Sequence, residues 1–252
     1  MVLKFLICGL EHTGTTLISD LFRQVPGLDS GFECGVLMDT TPAGFRDRQP
    51  FARNMLNGWG ITQEQFEHCC AAPDFAEFYA RLLAASTVLD PGTTGIFDKT
   101  PRYLAHLDAV LARSDVPVVI SYKDPRAIVC SDFKRAGTDD FDAWYDGYRA
   151  AKLRYVQGCY DQFIAHADTP RVTTVGLEDL AMNARATMER MFGHVGHPFE
   201  LGYAIIDKMR YENVRNNTVS ADIAFEYKIR LDPAAQDKIM ADFDRFKAWV
   251  YT

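Results

Sequence analysis

The sequence predicts an α/β fold: a single domain over residues 1–252 with a central, mostly parallel sheet flanked by helices. Three observations carry this. Short apolar runs alternate with amphipathic stretches of helical length along the whole chain. The first run, residues 3–8, leads through a glycine-flanked turn straight into a helical pattern. A second junction of strand, turn and helix falls at Tyr122–Pro125.

Taken in order, residues 3–8 are apolar except for Lys4, as suits a strand buried on both faces of a parallel sheet. Residues 15–24 carry Leu17, Ile18, Leu21 and Phe22 at helical spacing, and Pro26-Gly27 ends that helix. Residues 41–73, rich in proline, glycine and aromatics, read as a long, partly irregular excursion of the kind that covers a site. A helix is expected over 74–86, a short strand from Gly95, and an amphipathic helix over 103–112. Val116–Tyr122 is the second core strand, with Pro117 near its start, and a helix begins at about Pro125. A long helical pattern covers 141–165, Val172–Val175 forms a third core strand, and helices follow over 183–192 and 234–249.

Charge and composition exclude several functions. Asp plus Glu number 34 against 27 Lys plus Arg, so the net charge of -7 argues against a broad nucleic-acid-binding face. A small anion in a local pocket remains compatible. No stretch approaches the roughly 20 apolar residues of a membrane span. The apolar start, residues 1–9, is too short for a signal-peptide core, so a cytoplasmic location is expected. The six cysteines are scattered and lack metal-ligand spacing, so they read as reduced thiols, and no metal site is expected. His194 and His197 flank Gly196 and read as turn residues.

Gly9-Leu10-Glu11-His12-Thr13-Gly14-Thr15-Thr16 is the strongest local signal. It follows an apolar strand and opens a helix, the setting a phosphate loop requires. Glycines let the backbone curl around an anion. The unpaired N–H groups of the first helical turn then point into the curl. The alternative is a plain turn whose threonines cap the helix. The Gly-x-x-x-x-Gly spacing also matches a nucleoside-triphosphate loop, which would make the chain an ATP- and Mg²⁺-dependent phosphotransferase. Thr15 stands where such a loop needs lysine, which disfavours that reading.

These residues resemble the 5′-phosphosulfate loop of sulfotransferases, enzymes that use 3′-phosphoadenosine-5′-phosphosulfate (PAPS) as sulfuryl donor. Ser121-Tyr122-Lys123-Asp124-Pro125-Arg126-Ala127 and the helix after it are similar to the same family's 3′-phosphate motif. The resemblance implies a fold like that of P-loop nucleotide hydrolases. It also implies donor contacts from His12, Thr13, Gly14, Thr15 and Thr16 and from Lys123, Ser131 and Arg135. His12 stands where the family usually has lysine or arginine, and Lys123 where it usually has arginine. Ser131 and Arg135 are four apart and share one helix face.

The same resemblance implies the chemistry. Glu33 matches the catalytic-base glutamate of the carbohydrate and tyrosylprotein branches. Apolar shielding would raise its pKa toward working pH. Lys99, in Asp98-Lys99-Thr100-Pro101, would neutralise charge on the transferring group, and His12 would assist beside it. Leu177-Glu178-Asp179-Leu180 looks like the family's Tyr-Glu-Asp-Leu segment with leucine for tyrosine, and residues 211–228 would supply the loop over adenine. The expected reaction is transfer to a hydroxyl of a carbohydrate, lipid or other small molecule, leaving adenosine 3′,5′-bisphosphate (PAP) and needing no metal. Acceptor-site walls are expected from residues 35–73 and 136–150. A non-catalytic nucleotide-binding protein on the same fold is the remaining alternative.

Overall fold

A computed structural model of the protein describes residues 1–209 and 221–249. The expected adenine loop therefore lies partly outside the described residues.

Five parallel strands form the sheet among the described residues: β1 (Leu3–Gly9), β2 (Leu28–Asp29), β3 (Gly95–Lys99), β4 (Val118–Tyr122) and β5 (Val172–Gly176), in the order β2-β3-β1-β4-β5. The register sets Ile7 beside Lys99, Gly9 beside Ser121, and Tyr122 beside Gly176. Helices connect every pair of strands: α1 (Thr15–Arg23), α2 (Phe51–Gly58), α3 (Gln63–Cys70), α4 (Phe75–Ala85), α5 (Leu107–Arg113), α6 (Pro125–Ala136), α7 (Phe141–Tyr148) and α8 (Arg154–His166). After β5 come α9 (Leu177–Met182), α10 (Ala184–His194), α11 (Ala221–Ala224), α12 (Tyr227–Arg230) and α13 (Pro233–Asp242).

Strand side chains alternate between two cores. Phe5 and Ile7 of β1, Phe97 of β3 and Val119 of β4 face α1 and α10 through Ile18, Phe22, Met191 and Phe192. Leu6, Cys8, Ile96, Val118 and Ile120 face the opposite layer, which is built from α2–α8 and α13. Both faces are covered, as the continuous apolar strands require. All six cysteines are buried and free.

The structure differs from the sequence expectations in five places, one of them the last helix, which ends at Asp242 and gives way to a 3-10 turn, Asp244–Trp249. Residues 41–73 are largely helical and well packed. Phe45 packs edge-on against Phe66 and Phe78, and Thr62 with Gln65 forms a capping box at the start of α3. The helix expected over 103–112 starts as a 3-10 turn, Pro101–His106, because Tyr103 is drawn inward to bond Asp98. The pattern over 141–165 is interrupted by a π-helical turn, Arg149–Leu153, in which Arg149 pairs with Asp242 and Lys152 with Asp132. The edge strand β2 and the short helix α9 were too brief to show periodicity.

Candidate active site

Every predicted functional segment follows the carboxyl end of a strand. This is the edge where ligands bind in open parallel sheets. β1 runs into the glycine loop, β2 leads to Glu33, β3 ends on Lys99, and β4 leads to Lys123.

The loop from Gly9 to Gly14 is a closed turn. Thr13 donates through both its backbone N–H (3.3 Å) and its hydroxyl (2.7 Å) to the Leu10 carbonyl. Ser121 of β4 donates to the Thr13 carbonyl, so the two predicted phosphate motifs are joined by a hydrogen bond. Only glycine fits at position 9, because a Cβ there would lie 2.5 Å from the Ser121 carbonyl oxygen. Gly14 takes φ +89, and a Cβ on it would sit 2.9 Å from Leu177 of α9. Leu177 therefore packs against the loop. His12 is the non-glycine residue with left-handed backbone among those described, at φ 72.

Thr15 and Thr16 open α1, Thr15 buried and Thr16 partly exposed. Thr13 N–H and hydroxyl both serve the Leu10 carbonyl and the Thr13 carbonyl accepts from Ser121, so Thr13 closes the turn.

His12 is exposed, yet partial desolvation by its surroundings, followed by the nearby Arg135 charge, lowers its pKa from 6.5. Lys123 is buried, and desolvation lowers its pKa against the pull of Glu178. Arg135 lowers it further. Arg135 thus acts electrostatically on both motifs. Its guanidinium also donates to the Ser131 carbonyl at 3.4 Å, one turn back on α6. Glu178, at the start of α9, accepts from the Asp124 N–H at 2.9 Å. Burial raises its pKa to about 7.

On the other side of β1, the Lys99 ammonium donates to Glu33 Oε1 at 3.1 Å. Lys99 is 4% exposed and Glu33 25%, so the cation is sheltered while the carboxylate reaches solvent. Lys99 also lies 5.3 Å from the Phe32 ring centroid. The expected apolar shield around Glu33 is therefore corrected: the carboxylate faces a cation. Beside the loop tip, a cavity of about 380 Å³ is lined by Glu11, His12, Arg102, Ala151, Lys152 and Tyr155. Two of its wall residues come from the π-helical turn, a feature that recurs at functional sites. This lies just beyond the expected 136–150 region.

Sequence reasoning gave no role to the side chains of Ser121, Asp98, Tyr79 and Tyr103, which the structure ties to the loop and to one another. Asp98 carried a signal, an acid inside a run otherwise fit for a buried strand. Tyr79 carried none, because only tertiary contact brings it there.

The profile of the Sulfotransferase family matches residues 5–200. The chain belongs to the sulfotransferase family. It is an enzyme of that family, and the phosphotransferase reading is set aside. The sulfotransferase fold is similar to the sulfotransferase domain from the Synechococcus PCC 7002 olefin synthase, with 17% identity, 95% of this chain and 93% of that one covered, and a TM-score of 0.66. It is similar also to the sulfotransferase domain from the curacin biosynthetic pathway, with 14% identity, coverage of 97% and 98%, and a TM-score of 0.63. Mouse sulfotransferase SULT7A1, crystallised with PAP, shares the fold at 9% identity, coverage of 98% and 85%, and a TM-score of 0.53. No curated protein sequence matches. No helix among the described residues is long and apolar enough to cross a membrane.

Proposed function

We propose that this sulfotransferase moves a sulfuryl group from PAPS to the hydroxyl of a carbohydrate, lipid or other small-molecule acceptor. PAPS supplies the activated sulfate. The backbone N–H groups of His12, Gly14, Thr15 and Thr16, with the Thr15 and Thr16 hydroxyls, hold its phosphosulfate end at the start of α1, while Thr13 shapes the turn. Lys123, Ser131 and Arg135 hold the 3′-phosphate. His12 donates to a phosphosulfate oxygen. Glu33 takes the acceptor's proton as its oxygen bonds to sulfur. The bond between sulfur and the phosphate oxygen breaks, and that electron pair leaves with PAP. Lys99 neutralises charge on the transferring group. The glutamate base fits the carbohydrate-type branch.

What supports this reading is the Lys99–Glu33 pair beside the glycine loop: a cation and a base 3.1 Å apart at the end of β3. The chain is -7 overall, yet His12 and Lys123 both lie within electrostatic reach of Arg135, with Glu11, Asp132 and Glu178 among their neighbours. The test is PAP release from PAPS in the presence of a panel of hydroxyl acceptors, with sulfated product read by mass. Titration with PAP against ATP plus Mg²⁺ tests the donor separately. Tight ATP binding with none for PAP would overturn the reading, and PAP binding without turnover on any acceptor would favour a non-catalytic role.

A further inference from the structure

We infer that Asp98, with Tyr79 and Tyr103, is a positioning device that sets Glu33 against Lys99. The inference rests on the proposed roles of those two residues.

Asp98 is fully buried. Its Oδ2 accepts from the Tyr79 and Tyr103 hydroxyls, each at 2.6 Å. Its Oδ1 accepts from the Thr100 hydroxyl at 2.7 Å and from the Cys34 N–H at 3.4 Å. The same side chains then reach onward along the loop. Thr100 Oγ1 accepts from the Gly35 N–H at 3.1 Å, and the Tyr103 hydroxyl oxygen accepts from the Leu37 N–H at 3.3 Å. Three backbone N–H groups just after Glu33 are thereby tied to residues of β3 and the turn following it.

The pattern is specific. Consecutive residues of β3 grip consecutive residues of the loop: Lys99 holds the Glu33 side chain, and Asp98 holds the Cys34 N–H. The near side of the loop is clamped too. Phe32 N–H donates to the Gly58 carbonyl at 2.9 Å, and Trp59 Nε1 donates to the Phe32 carbonyl at 2.7 Å. Glu33 sits between two fixed points.

A buried carboxylate is a poor choice for stability alone. Its desolvation is costly, and an apolar group of the same volume is often as stable. Burial raises the Asp98 pKa, while the bonds from Tyr103, Tyr79, Thr100 and the Cys34 N–H oppose that shift. What a carboxylate offers here, and an apolar group does not, is four converging acceptor contacts from three chain segments. Catalytic geometry tolerates displacements of only about 0.5 Å, so such an anchor bears directly on turnover.

The test uses Tyr103→Phe, Tyr79→Phe and Asp98→Asn in the full chain. The probe is PAPS with water as acceptor, read as PAP released, alongside crystal structures of each variant with PAP. The tyrosine variants remove one hydroxyl each and are expected to fold, so they carry the test if Asp98→Asn does not. Expected are an unchanged KM for PAPS, a kcat lowered about 10- to 100-fold, and a Glu33 carboxylate displaced from Lys99 in the crystals. Combining Tyr103→Phe with Glu33→Gln should cost no more than Glu33→Gln alone. Wild-type kcat with an undisturbed Glu33–Lys99 contact in both tyrosine variants would overturn the positioning role. Full activity in Glu33→Gln would instead overturn the proposed base, so the two failures are distinguishable.

Discussion

Lys99 and Glu33, 66 positions apart in the chain, meet through a 3.1 Å hydrogen bond at the edge of the sheet. Parallel strand pairing brings them together: β2 lies beside β3, and Glu33 follows the first as Lys99 ends the second. This carboxylate, which reaches solvent and is anchored to a sheltered cation, is the group that the proposed mechanism uses as base.

Replacing Glu33 with glutamine keeps the shape and removes the carboxylate proposed as the base. PAP affinity should stay within about twofold, while kcat for sulfuryl transfer falls roughly 10²-fold or more. Calorimetry with PAP and initial rates of transfer check the two halves. Undiminished kcat would assign the base elsewhere, with His12 the next candidate.

Arg135 lies close enough to both predicted phosphate motifs to lower the pKa of His12 and of Lys123. Arg135→Ala should weaken PAP binding by about 1.5–3 kcal/mol, the worth of a charge-assisted contact. Equal calorimetric affinity in variant and wild type would remove Arg135 from the 3′-phosphate site.

The proposed contact of His12 with the donor should give donor binding a pH dependence. In the ligand-free protein its pKa lies below 6.5, through desolvation and then Arg135, with Lys152 adding to the depression and Asp132 and Glu11 opposing it. A bound anion favours the imidazolium and raises the value, so binding takes up a proton. Affinity should be highest below the free-state pKa and fall as pH rises from there through the bound-state pKa. His12→Arg should flatten that curve. PAP titrations across this range for both proteins are the check, and parallel curves would exclude a titrating contact.

Glu178 ties stability to pH. Its pKa is raised from 4.5 to about 7 by burial, so the folded state holds the proton more tightly than the unfolded chain. The contribution is complete below 4.5 and is lost as pH rises through about 7. Between pH 5 and 8 the wild type should lose up to about 3 kcal/mol from this source. Glu178→Gln keeps an acceptor for the Asp124 N–H and should flatten the dependence of Tm on pH. An unchanged slope would show that Glu178 titrates normally in the fold.

Much of this architecture was legible because it is local. The run over residues 3–8, the glycine loop and the Asp124-Pro125 helix start each combine strand, turn and cap within a few residues. What escaped was tertiary. β2 spans two residues and is defined only by its partner β3. Ser121 opens the second predicted phosphate motif, yet nothing local marks its hydroxyl for the Thr13 carbonyl. Tyr79 shows the helical spacing of a core residue, and nothing local marks its hydroxyl for Asp98, 19 positions on. The π-helical turn at Arg149–Leu153 leaves the apolar periodicity on either side intact, so the pattern reads as one helix.

The left-handed backbone at His12 sets stability against use at a single position. Glycine adopts φ 72 without steric penalty, whereas an L-residue bearing Cβ gives up about 1 kcal/mol there. A lineage selected only for resistance to heat would drift to glycine at position 12 and lose its imidazole from the loop. Histidine at that position gives up some robustness of the fold and keeps a proton-binding group on the proposed phosphosulfate loop.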